Sequence, residues 1–197
     1  RGVFTLGVTT TTDDLAGEVV HKHDGPLPSA ATVLAAAASR LGRQWQVPPA
    51  YSARQVGGTR LYRLARRGVV VEAPATEIVV ERLSVAATDA PERFSYEMVV
   101  STGTYVRALV RDLGSVLGCG AAVASLRRTA IGALSVDNAL TLPDDRASRR
   151  DAVLRHLIPI DAMPLDLPSI ALTSPADAMR FAAGGVVTVD SARPREA

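Results

Sequence analysis

Hydrophobic and polar positions change their period several times along this chain. Residues 2–9 (GVFTLGVT) read as a strand, and the following TTTTDDLAGE supplies side-chain oxygens and a glycine for a polar turn. In PSAATVLAAAASRLG, residues 28–42, Ser29 stands as an N-cap, alanines fill the body of a helix, and Gly42 lies just past its end. Pro48 and Pro49 remove two donors and push Val47 extended, so residues 46–55 form a shaped loop. Residues 59–68 place Leu61, Leu64 and Ala65 on one face of a short helix closed by Gly68, with Arg60, Arg63 and Arg67 on the other faces.

Two strands are predicted at 76–86 and 93–101, the second alternating Phe94, Tyr96, Met98 and Val100 with smaller or polar residues, and they should pair as a hairpin. In VVSTGTYVRALVRDLG, residues 99–114, the period changes from strand to helix across a hinge at 101–104. Tyr105 and Arg107 stand at the mouth of that helix. Two short strand-like runs around a bend follow at 121–136, then a surface helix at 144–157 and a Pro-rich linker at 158–170. A last short helix, with Ser174 as cap and Pro175 in its first turn, is expected to lead into one strand.

Composition narrows the class. The chain has 197 residues, 47% hydrophobic and 21% charged, which suits one sizeable globular core, but only 4% aromatics, so the core must be aliphatic. Net charge is +2, so clustering of the arginines matters more than their total; every basic residue but Lys22 is arginine. Cys119 is the only cysteine, which excludes an intramolecular disulfide and fits a reducing, cytoplasmic setting. No apolar run approaches the roughly 20 residues of a membrane span. The chain opens on Arg1 directly into strand-like sequence without an initiator Met, as a piece cropped from a longer protein would.

Candidate chemistry is sparse. His21, His23 and Asp24 lack a third converging ligand, since His156 lies on a distant helix, and a solvated loop suits them better than a metal site. Neither a nucleophile elbow nor a phosphate-binding glycine loop is present. The basic stretch 54–67 contains no acid and interleaves with Tyr51 and Tyr62. It fits a solvated helix face and an RNA-tracking arm about equally. Arg107 opposes the helix macrodipole, and Arg111 one turn on adds like charge, so an acid is expected nearby. Asp112 and Asp89 are the ordinary structural choices, with Tyr105 packing under the helix start.

The segment VSTGTYVRALVRDLGSVLGCGAAVASLRRTAIG resembles a block of the bacterial TruB-type tRNA pseudouridine synthases: strand, Gly-Thr-Tyr-x-Arg, helix, Gly-x-Gly-Ala, Leu-Arg-Arg. QVPPAYSARQVGGTRLYRLARRGVVVE resembles the family's Pro-Pro-x-Tyr-Ser-Ala segment and basic insertion, and LGVTTTTDDLAG its Thr- and Asp-containing turn. Together these cover roughly residues 3–136. The resemblance implies an α+β pseudouridine synthase fold with a mixed, largely antiparallel sheet flanked by helices. A catalytic domain would span 1–166, with an RNA-binding thumb at about 51–77, and a partial small C-terminal domain would start at 167.

The resemblance also implies isomerisation of uridine 55 in the TΨC loop of tRNA, without metal or organic cofactor, membrane attachment or an obligate protein partner. In that family an aspartate attacks the flipped-out nucleotide. Arg107 matches the arginine that pairs with this carboxylate, Tyr105 the pocket tyrosine, and Leu126 the apolar residue against the base. Asp14 matches an acid associated with RNA handling and loop shape, while Tyr51, Arg54, Arg60, Arg63 and Arg67 fall in the RNA-gripping arm. The Gly-x-Leu-Asp-Pro motif carrying the nucleophile is absent from these residues. This chain alone is therefore expected to be inactive, with Arg107 pointing into an open cleft beside Tyr105 and Leu126 and countered by water or an anion. The competing readings are a non-catalytic RNA-binding protein or tRNA chaperone on the same scaffold, and a synthase for another RNA.

Overall fold

In the computed structural model, which describes residues 1–69, 73–164 and 170–188, the strand expected over 2–9 breaks at Gly7, whose φ of 81° favours glycine. The first half, β1 (Gly2–Leu6), enters the main sheet, while β2 (Val8–Thr10) turns away to pair with β3 (Val19–Lys22). His21 is thus an exposed strand residue opposite Thr9 rather than part of a loop. Helix α1 (Ala30–Ala38) starts as expected, with the Ser29 side chain accepting from the Thr32 amide, but ends before Gly42. Gly42 instead opens β4 (Gly42–Gln46), a strand that the polar sequence GRQWQ does not announce.

The arm follows as a tight hairpin, β5 (Gln55–Val56) and β6 (Thr59–Arg60), and a single turn of helix, α2 (Leu61–Ala65). Gly57 and Gly58 both have positive φ, as a two-residue hairpin turn demands. Leu61 is the buried anchor of α2. Then β7 (Thr76–Ala87) and β8 (Arg93–Val100) form the expected hairpin, helix α3 (Val106–Val116) begins at its predicted hinge, and β9 (Ala121–Leu126) follows.

These strands assemble a five-stranded sheet in the order β4-β7-β8-β1-β9 with every ladder antiparallel; one isolated parallel bridge joins Asp14 to Val123. The alternation in β8 is confirmed on its buried side. Phe94 and Tyr96 pack with Phe4 and Leu6 of β1, Val33 and Ala37 of α1, and Val110 and Leu113 of α3. Phe4 and Phe94 stack with ring centroids 5.6 Å apart. Ile78, Val80 and Leu109 close a second cluster between β7 and α3. Helix α3 also leans on the start of β9 at Gly114, where a Cβ would lie 2.2 Å from the Ala121 nitrogen.

The chain divides into two units, Arg1–Arg127, just described, and Arg128–Ala197. The second contains a small hairpin, β10 (Ala130–Ile131) and β11 (Leu134–Ser135), bent at Gly132, then α4 (Arg146–His156) and α5 (Pro175–Ala182). Both helices have side-chain caps: Asp145 accepts from the Ser148 amide and Ser174 from that of Asp177. The linker expected over 158–170 contains a 3-10 turn at Ile160–Ala162. The boundary expected at 166/167 lies outside the described residues. No strand forms over residues 185–188, contrary to the strand expected after α5, and the rest of that segment also lies outside them.

Candidate active site

Three segments distant in sequence meet at the start of α3. The Thr-rich turn is brought there by β9: the Val123 amide donates to the Asp13 carbonyl (3.0 Å), and the Leu15 amide donates to the Val123 carbonyl (2.9 Å). Thr10 and Thr12 brace the turn internally, Thr12 Oγ1 donating to Asp14 Oδ1 at 2.6 Å. Asp13 is held at φ 61°, a left-handed conformation that aspartate tolerates better than most side chains. The second segment is the loop carrying Pro48 and Pro49. The third is α3 itself, whose first turn presents Arg107.

Arg107 Nη1 donates to the Thr12 carbonyl (2.9 Å) and to Asp14 Oδ2 (3.0 Å), and Nη2 donates to the Tyr51 carbonyl (2.9 Å). The expectation that water or an anion would be its counter-charge is thereby corrected. A partly buried guanidinium at the positive end of a helix needs an acid, and the docked turn supplies Asp14. Neither Asp112 nor Asp89 fills that role. Of the five guanidinium N–H groups, three are engaged by these bonds; the Nε–H and one Nη2 hydrogen have no partner among the described residues.

Arg111, one turn further, has its own set of partners. Its Nε donates to Asp112 Oδ1 (2.9 Å), Nη1 to Asp13 Oδ2 (3.2 Å) and Nη2 to the Val47 carbonyl (2.9 Å). Burial pushes the Asp13 carboxyl above its ordinary pKa, against the pull of Arg111 and Arg107. Gln46, buried on β4, holds the helix start from the other side. Its Oε1 accepts from the Tyr105 amide (2.8 Å) and its Nε2 donates to the Tyr105 carbonyl (3.1 Å). Gln46 was invisible in the sequence because nothing in a lone polar residue signals a partner 59 positions away.

Beside Arg107 opens a cleft of about 250 Å³, lined by Asp14, Leu15, Ala16, Arg107 and the β9 residues Val123, Ala124, Ser125 and Leu126. Leu126 is 53% exposed. The structure thus brings Arg107, Asp14 and Leu126 together. Tyr105 is the N-cap of α3 and makes no side-chain cap bond; it does not line this cleft.

On the arm, Arg54 is half-buried and donates to Thr76 Oγ1, so it is anchored at the base of β7. Arg60, Arg63 and Arg67 are exposed, and among the described residues none has a carboxylate partner. Arg66, one helical turn after Tyr62 and also exposed, joins them. Its guanidinium lies 5.7 Å from the Tyr62 ring centroid and that of Arg63 lies 6.0 Å away. Hydrogen bonding from Arg63 and Arg60 holds the Tyr62 phenol below its ordinary pKa. Among the described residues no group of three or more His, Cys, Asp or Glu could hold a metal ion, and no helix is long and apolar enough to cross a membrane.

Residues 1–106 match the family model described as TruB family pseudouridylate synthase, N-terminal domain, and residues 107–163 match the tRNA pseudouridylate synthase B C-terminal domain. The chain belongs to the TruB family. Curated TruB relatives named tRNA pseudouridine synthase B include one from Levilactobacillus brevis, 41% identical over 87% of this chain. Others come from Xanthomonas oryzae pv. oryzae, 41% identical over 92% of the chain, and Burkholderia mallei, 38% over 93%. The chain spans 59% of the length of the first two relatives and 60% of the third. A solved Cbf5–Nop10–Gar1 complex contains a chain that is 21% identical, with a TM-score of 0.44 over 68% of this chain and 31% of that one, too loose a likeness to carry function.

Proposed function

We propose that the whole TruB-family protein converts uridine 55 in the T arm of tRNA to pseudouridine, and that these residues alone bind tRNA without turning it over. The observation that carries this reading is Arg107. Its side chain lines the cleft with Leu126, is oriented by Asp14 and two backbone carbonyls, and keeps two N–H donors without a partner among the described residues. Such donors suit a carboxylate nucleophile, whose ionised form in a partly dry pocket needs an adjacent cation. Leu126 offers the apolar contact that an extruded base requires, and the exposed arm arginines, with no carboxylate partner among the described residues, suit RNA phosphates. Tyr105 is assigned to the pocket by family resemblance, and Asp14 acts through Arg107.

The test uses an unmodified tRNA transcript with purified full-length protein in a chelator, and maps pseudouridine base by base. Product at position 55, and none when uridine 55 is replaced by cytidine, is the expected result. Product elsewhere would overturn the assigned substrate, and product formed by the 197-residue chain alone would overturn its assignment as a binder lacking the nucleophile. Tight tRNA binding without product from the full-length protein would favour the chaperone reading.

A further inference from the structure

Arg107 depends on acceptors from two loops, and a second arginine holds both of those loops at different points. Arg107 takes Thr12 and Asp14 from the Thr-rich turn and Tyr51 from the Pro-Pro loop. Arg111 takes Asp13 from the same turn, between those two acceptors, and Val47 from the same loop, on the other side of Pro48 and Pro49. Its Nε is oriented in turn by Asp112. With Asp13 in a left-handed conformation, the turn directs its two successive carboxylates to two arginines one helical turn apart.

We infer that Arg111 is a positioning residue: by bonding Asp13 and Val47 it fixes the two loops whose Asp14 carboxylate and Tyr51 carbonyl aim the Arg107 guanidinium. Arg111 does not line the cleft beside Arg107, so it acts through Arg107 rather than on substrate. A planar fork with three acceptors in three directions does this; an ammonium, whose donors all sit on one atom, cannot span the three. The inference rests on the catalytic reading of Arg107, and its test is built so that the two fail separately.

In the full-length protein, Arg111→Gln should lower kcat on tRNA at least tenfold while KM changes less than twofold. Asp13→Asn keeps a residue that tolerates the left-handed backbone and removes only the charge, so it should give a smaller loss of kcat. The double variant should be no worse than Arg111→Gln alone, because both break one link. Amide hydrogen exchange supplies the second readout: Arg111→Gln should speed exchange in residues 11–16 and in the 47–52 loop together. An unchanged kcat, losses that multiply in the double variant, or a KM effect as large as the kcat effect would each overturn the inference. If wild-type protein forms no pseudouridine, the functional reading fails, and exchange alone decides: unchanged protection in either loop sinks the positioning role.

Discussion

At the scale of the residue, the Arg107 side chain is defined by what it has already bonded and what it has left over. Two carbonyls and Asp14 fix its plane, and the side chain lines the cleft with donors that have no partner among the described residues. Lysine at this position keeps the charge but cannot satisfy the same three acceptors and a fourth partner at once. Arg107→Lys in the full-length protein should therefore reduce the single-turnover rate by about 10²-fold, the order seen when a preorganised electrostatic partner is lost, with tRNA affinity and unfolding midpoint little changed. Turnover near wild type would remove Arg107 from the chemistry. That some acid must stand beside this arginine was legible in the sequence from the macrodipole alone. That the acid is Asp14 was not, because 93 residues separate them and the docking of the turn on β9 leaves no periodic signature.

Elements were legible where a capping side chain or a one-sided burial pattern marks them. The helices with side-chain caps at Ser29, Asp145 and Ser174 declared themselves, and so did the β7–β8 hairpin, whose buried positions alternate. Strand β3 did not, since all four of its residues are exposed and no apolar face marks it. Strand β4 was hidden too: it lies at the sheet edge, its Trp45 is 73% exposed, and its one fully buried residue is a glutamine. The α3–β9 contact gives an element-scale prediction. At Gly114 a methyl group would meet the backbone of Gly120 and Ala121 at 2.5 and 2.2 Å, where no side chain can swing aside. Alanine gains about 1 kcal/mol in helix propensity over glycine, but the helix must lift off the strand, so Gly114→Ala should destabilise by about 1–3 kcal/mol net in urea unfolding. A neutral or stabilising change would show that α3 can shift freely against β9.

For the molecule as a whole, charge is distributed by region rather than by total: a net charge of +2 conceals an arm with no acid between residues 51 and 69. If this arm meets RNA phosphates, replacing Arg60, Arg63, Arg66 or Arg67 by glutamine should flatten the salt dependence of tRNA binding by about 0.7–0.9 log units per contact. Arg54, anchored on Thr76, should change the slope less. Equal slopes for all variants and wild type would mark the arm as an ordinary solvated face. The way the site is tied together also sets when it can exist. Arg107 and Arg111 reach back 93 and 98 residues to their carboxylates, and the turn that carries those carboxylates is itself pinned by Val123. On a translating ribosome, therefore, the arm can fold early from local contacts, whereas the turn whose Asp13 and Asp14 the arginine pair grips is not pinned in place until β9 has emerged from the exit tunnel. A nascent chain paused before that point carries the basic arm but not the assembled pairing of arginines and carboxylates, so the order of synthesis sets when the cleft can take its shape.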